Sequence, residues 1–125
     1  MLCPCSSGDQ YQDCCQPFHE GRLPETALQL MRSRYSAYSL DLPDYIIETT
    51  HPQNPHYHSK SEDIRQFSKV TTFQKLEIHD ATKTTVIFTA HLFQGGRDAT
   101  FTEKSTFEKV DGRWLYLSGE FLPNP

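Results

Sequence analysis

Four cysteines, Cys3, Cys5, Cys14 and Cys15, all fall within the first fifteen residues, in the run CPCSSGDQYQDCC. Tetrahedral zinc needs four soft donors converging on one point, and thiolates supply them without further help. The spacing C-x-C-x8-C-C offers two close pairs joined by a short turn. Gly8 in that turn accepts positive φ, and backbone N–H groups around Ser6 and Ser7 can point back at the sulfurs. Such bonds matter because zinc with four thiolates carries a formal charge of about −2. A Cys14–Cys15 disulfide would close a strained small ring, and a Cys3–Cys5 bridge is little better. The familiar ferredoxin spacings differ from this one, and a redox role would call for C-x-x-C beside a βαβ unit. The expected cofactor is therefore zinc, bound by all four cysteines. With no position open to water, it is expected to be structural. His19 could compete as a ligand, but packing or hydrogen bonding beside the knuckle is the favoured reading.

The same run resembles the SEC-C motif, known from the tail of the SecA translocation ATPase. Cys3, Cys5, Cys14 and Cys15 match its four ligand positions, and Ser7, Gly8 and Tyr11 match its frame. Ser6 stands where the motif has glycine. The motif is usually lysine-rich between its pairs, and in SecA that surface engages the acidic chaperone SecB. This chain has Asp9, Gln10, Gln12 and Asp13 instead, an acidic face that forgoes such steering. The resemblance implies zinc; it does not imply SecB.

A second group of residues can build a pocket. Glu103 and Ser105 share strand parity with Phe101 and Phe107, so all four are expected on one face. A carboxylate on an apolar face either pairs with a cation or has its ionisation disfavoured. Arg34, beside Tyr35 on the expected core helix, is the natural partner. The favoured reading is a structural helix-to-sheet ion pair, and the alternative is a ligand pocket formed by Arg34, Tyr35, Glu103, Ser105 and Trp114. Trp114 and Tyr116 read most simply as core or pocket-wall aromatics. His51, His56 and His58 lie in HPQNPHYH without the acidic or thiol neighbours of a second metal site, so a solvated loop is expected. His79 and His91 read as sheet-surface residues. No Ser/His/Asp order, phosphate-cradling glycine loop or paired-carboxylate signature is present. The reading leans away from an enzyme.

The elements that must position these residues are legible from periodicity. Pro24 suits a first helical turn, and Leu28, Met31, Tyr35 and Tyr38 recur at helical spacing through Leu40, opposite Gln29, Arg32, Ser33 and Ser36. Asp41, Pro43 and Asp44 start a second helix that ends before His51-Pro52. Ser59 and Glu62 have capping-box spacing for a third, burying Ile64 and Phe67. From Phe73 the pattern alternates as strands, with turns at Gly95-Gly96 and Asp111-Gly112. Helices followed by strands predict an α+β fold: a zinc knuckle over residues 1–21, then helices on a curved four-stranded antiparallel sheet over residues 22–125.

LMRSRYSAY (30–38), DYIIETTHP (44–52), EKSTF (103–107) and DGRWLYLSG (111–119) are similar to the YchJ family of uncharacterised bacterial proteins. That resemblance implies a body like the nuclear-transport-factor-two fold, a cone of sheet and helices. Some members carry a second SEC-C motif after the cone, and a tryptophan commonly precedes the histidine where Thr50 stands here.

Hydrophobic residues make up 36%, and 12% aromatics provide large buried surfaces for a folded core. The net charge of −4 disfavours a general nucleic-acid binder. No apolar run is long enough to span a bilayer, so a cytoplasmic location without membrane contact is expected. Two functions stand. The leading one is a protein-interaction or adaptor module with an unidentified protein partner. The runner-up is a domain with a small-molecule-binding or enzymatic pocket in the cone, docked to its partner by the knuckle. An enclosed cavity holding an unpaired polar group would favour the runner-up; an Arg34–Glu103 pair closing a filled core would sink it.

Overall fold

The structure, a computed structural model, describes residues 1–125. After the cysteine turn come a single 3-10 turn at Tyr11–Asp13 and a one-turn helix, α1 (Gln16–His19). Three further helices follow: α2 (Ala27–Ser39), α3 (Pro43–Glu48) and α4 (Ser61–Val70). The second half is one antiparallel sheet of β1 (Thr71–Ala81), β2 (Thr85–Gln94), β3 (Arg97–Asp98), β4 (Phe101–Val110) and β5 (Arg113–Leu122). The strand order is β1-β2-β4-β5. The expected four-stranded meander is thus present, and the residues after Gly95-Gly96 add a two-residue strand paired only with the end of β2.

Local chemistry explains most boundaries. The Thr26 side chain accepts from Gln29 N at 3.1 Å, capping α2, so the helix starts after Thr26 and not at Pro24. The Trp114 indole N–H donates to Glu25 O at 3.1 Å and pins this entry to the sheet. Asp111 and Gly112 both have positive φ, 51° and 80°, the left-handed pair that a tight two-residue hairpin requires. Two expected caps do not form. Lys60 precedes α4 with no side-chain cap, so the Ser59–Glu62 box is not made, and Leu42, not Asp41, occupies the corresponding place before α3.

Alternation along β2 sends Val86, Phe88, Ala90 and Leu92 to the concave face, all of them buried. α2 lays Leu30, Met31 and Tyr35 across that face, forming one core with Phe107 and Trp114. Each large side chain so buried contributes about 1.5–3 kcal/mol.

One irregularity matters for the site. Ser105 pairs with Gly119 and Thr106 with Ser118, but Phe107 pairs with Tyr116, leaving Leu117 as an extra residue in β5. The bulge reverses strand parity, bringing Tyr116 to the face occupied by Gly119 and Phe121. The segment after α3 locks onto this point. Tyr116 N donates to Thr49 O at 2.8 Å, His51 N to Tyr116 O at 2.9 Å, and the Asn54 amide to Leu117 O at 2.9 Å. The loop expected to be solvated is therefore anchored at its start, with His51 and Asn54 buried while His56 and His58 stay exposed. No helix is long and apolar enough to cross a membrane.

Candidate functional site

The cysteine turn brings the four Sγ atoms within 4.8 Å of one another. Cys5 and Cys14 sulfurs lie 3.6 Å apart, and Cys14 and Cys15 sulfurs 3.9 Å apart. A tetrahedron of sulfurs about 2.3 Å from a central zinc has edges of about 3.8 Å, so these separations fit that geometry. Cys3, Cys5 and Cys15 are buried and Cys14 is half-buried. Ser6 holds φ 67° where the related motif has glycine, and its hydroxyl accepts from Leu76 N at 2.9 Å, tying the turn to β1. The position is left-handed, but its side chain has a specific partner.

The sulfurs are braced by hydroxyls. Ser7 Oγ lies 3.2 Å from Cys14 Sγ, and Ser36 Oγ donates to Cys15 Sγ at 3.3 Å while lying 3.4 Å from Cys3 Sγ. The Cys15 hydrogen bond draws the Cys5 thiol down to about 4, against the opposing effect of burial. That same bond pushes Cys15 up, and burial pushes Cys14 up to about 11. Burial thus opposes ionisation at Cys14 and Cys15, and a cation placed among the sulfurs would offset that cost.

His19 is not a fifth candidate. Its Nε2–H donates to Ser33 O at 2.8 Å, which leaves Nδ1 to accept from the Tyr11 hydroxyl at 2.6 Å. Both ring nitrogens are used, and burial lowers the imidazole's proton affinity. Arg32 Nη1 also donates to Cys5 O at 2.9 Å. Arg32, Ser36 and the Ser33 carbonyl therefore form the seat of the knuckle on α2, while the buried Ser33 hydroxyl donates to Leu30 O and meets the Tyr45 hydroxyl.

The other side of α2 faces a partly open cavity of about 620 Å³ lined by residues of the helices, the sheet with its bulged β5, and the segment after α3. The volume falls within the range of small-molecule sites. Of the expected pocket residues, Arg34, Tyr35, Glu103 and Ser105 line it. Trp114 does not; it packs in the core beside its bond to Glu25.

The expected Arg34–Glu103 ion pair is absent from the salt bridges. Arg34 Nη1 instead donates to Ile46 O at 3.1 Å, Thr49 Oγ1 at 2.7 Å and Thr50 Oγ1 at 3.2 Å, fastening the end of α3. Its guanidinium carbon lies 4.7 Å from the centre of the Tyr116 ring. Glu103 Oε2 accepts from the Tyr116 hydroxyl at 2.8 Å and from Ser105 Oγ. Tyr116 thus stands between the two charges, because the bulge turned it inward. Burial and the neighbouring Glu103 carboxylate push its phenol well above the usual range. Gly119 makes this arrangement possible, since a Cβ there would overlap both Glu103 Oε2 and the Tyr116 hydroxyl. Tyr35 adds a buried hydroxyl with no partner.

His51 is a further polar residue that sequence reasoning placed in solvent. Its Nδ1 accepts from Gln53 N at 3.0 Å, so Nε2–H donates to Glu108 Oε1 at 3.1 Å. The burial follows from the Thr50–Tyr116 bridge, a contact across 66 positions that no local pattern announces.

Fold and site together define a cone-shaped α+β domain fronted by a four-cysteine metal-binding motif. The family description "YchJ, middle NTF2-like domain" matches residues 26–119, and the SEC-C motif matches residues 2–17. The chain belongs to this family. It is 40% identical over 131 residues to a UPF0225 protein of Actinobacillus succinogenes, covering 98% of this chain and 84% of that protein. A UPF0225 protein of Deinococcus radiodurans is 43% identical over 117 residues, covering 92% and 85%. The solution structure of a SEC-C motif containing protein from Rhodopseudomonas palustris superposes with a TM-score of 0.85 at 35% identity, covering 98% of this chain and 100% of that one. A crystal structure of a SEC-C motif containing protein from Psychrobacter arcticus gives a TM-score of 0.75 at 27% identity, covering 98% and 84%.

Proposed function

We propose that this chain is a small-molecule-binding domain in which structural zinc, held by Cys3, Cys5, Cys14 and Cys15, steadies the helix that forms one wall of the binding cavity. The observation that carries the reading is the lined cavity with an unpaired Arg34 edge, where a closed Arg34–Glu103 pair in a filled core would have opposed it. The all-sulfur donor set favours zinc over hard cations, which prefer oxygen. When bound, zinc would supply the positive charge that keeps four crowded sulfurs as thiolates. The chain's own residues do the rest: Ser36, Arg32 and His19 transmit the knuckle's rigidity to α2.

The test is mass spectrometry of small molecules released from the natively purified chain, compared with Ala90→Leu, which narrows the cavity at a buried wall position. Molecules enriched on the parent chain and absent from an equally folded Ala90→Leu support the reading. No enrichment, together with silence towards a fragment library in ligand-observed NMR, counts against it.

A second reading, docking of a protein partner at the knuckle, is supported by Met1 and Leu2, 68% and 64% exposed beside the cysteine turn. Cross-linking the intact chain and Leu2→Asp in lysate tests it; the same set of partners on both would count against that surface.

A further inference from the structure

We propose that the cavity takes a small monoanionic carboxylate with an apolar, ring-sized body, and that Arg34 is its anchor. The proposal rests on the reading of the cavity as a ligand site and names what the site selects.

Arg34 is only 7% exposed, and no carboxylate lies within ion-pair distance of it. A buried cation in that condition is costly unless a counter-charge arrives. Its three protein acceptors all bind one nitrogen, Nη1, and all are neutral oxygens. Nε and Nη2 donate to no protein atom, yet neither is a sealed, unpartnered atom. Arg34 lines the cavity, and this free edge is assigned to it. Nε and Nη2 are neighbours along one edge of the planar guanidinium, and the two oxygens of a carboxylate match that edge with parallel hydrogen bonds. The Nη1 bonds on one side and the Tyr116 ring against the face hold the plane before any ligand enters.

Glu103 narrows the choice of anion. Both protein donors to it go to Oε2, leaving Oε1 without a protein partner in the same cavity. A fixed carboxylate near the anion site opposes a doubly charged group such as a phosphate monoester more than a single charge. It also welcomes a ligand hydroxyl or amine. The remaining wall is aromatic, with Phe67, Phe88 and Phe101 prominent, and suits a ring or branched aliphatic body.

The experiment titrates the full-length, zinc-loaded chain with 3-phenylpropanoate, 3-phenylpropanamide and phenyl phosphate by isothermal calorimetry, backed by ligand-observed NMR. The carboxylate should bind roughly tenfold to a hundredfold more tightly than the amide, as expected for hydrogen bonds to a charged group, and more tightly than the phosphate. Arg34→Met should erase the preference over the amide. If that variant does not fold, Arg34→Lys keeps the charge without the two-toothed edge and should shrink the preference without removing it. Amide binding equal to the carboxylate would overturn the Arg34 anchor while leaving a ligand-binding cavity in place. Phosphate binding tighter than the carboxylate would overturn the monoanion class. Failure of all three probes would overturn this proposal, while the cavity reading on which it rests falls only if the released-molecule and fragment-library tests are silent as well.

Discussion

The two sides of α2 solve opposite problems. On one side the knuckle leaves almost nothing unpaired: the sulfurs meet one another and two serine hydroxyls, and both nitrogens of His19 are engaged. On the other side the cavity leaves an arginine edge, a carboxylate oxygen and the Tyr35 hydroxyl without protein partners. Buried polar groups are normally satisfied, so a closed network reads as structure and an open one as a place prepared for something else. Both sides meet on one thirteen-residue helix, where Ser33 and Ser36 face the knuckle and Arg34 and Tyr35 the cavity.

The largest expected effect comes from breaking the cysteine cluster. Structural zinc in small domains contributes apparent binding energies of about 10–16 kcal/mol, so Cys5→Ser should abolish stoichiometric zinc and loosen the N-terminal segment. Because the knuckle is seated on α2, amide exchange at Arg32–Ser36 should accelerate as well, while the sheet keeps its far-UV circular dichroism. Global unfolding would erase the distinction drawn between the two sides; unchanged exchange in α2 would show that the knuckle does not support it.

Gly119→Val comes next. The added side chain meets Glu103 and Tyr116, and overpacking of this kind costs about 1–3 kcal/mol in urea unfolding. Zinc content should not change, which separates the two regions. Ser36→Ala removes the hydroxyl from two sulfurs and should cost about 1 kcal/mol, with metal affinity in a chelator competition falling about 10-fold to 100-fold. An unaltered affinity would mean that the hydroxyl only fills space. The smallest effect is expected from Glu108→Gln. Its carboxylate is 52% exposed although His51 is buried, and a partner so solvated contributes about 0–1 kcal/mol. A larger loss would show that the segment after α3 depends on this pair.

How far the sequence reached differs between the two regions for a physical reason. The knuckle's four cysteines lie within thirteen residues, so their spacing alone marked them as a cluster, and strand alternation with Asp111-Gly112 disclosed the meander. The seat of the knuckle stayed hidden because Ser33 and Ser36 are polar, and their place opposite the apolar stripe reads as a solvent face. The cavity was legible by halves. Parity correctly placed Glu103 and Ser105 with Phe101 and Phe107, but the extra residue at Leu117 is invisible to a period of two. That bulge inserts Tyr116 between Arg34 and Glu103, and so turned an expected ion pair into two separately available groups. His51 was missed likewise, since its burial depends on a distant bridge and not on its neighbours.

Residue-resolved NMR during titration of the zinc-loaded chain with 3-phenylpropanoate tests the division of labour most directly. Shifts are expected to concentrate at Arg34, Phe101, Glu103 and Tyr116, with Cys3, Cys5, Cys14 and Cys15 unmoved and zinc retained. Shifts centred on the cysteine turn, or none at saturating probe, would contradict that division.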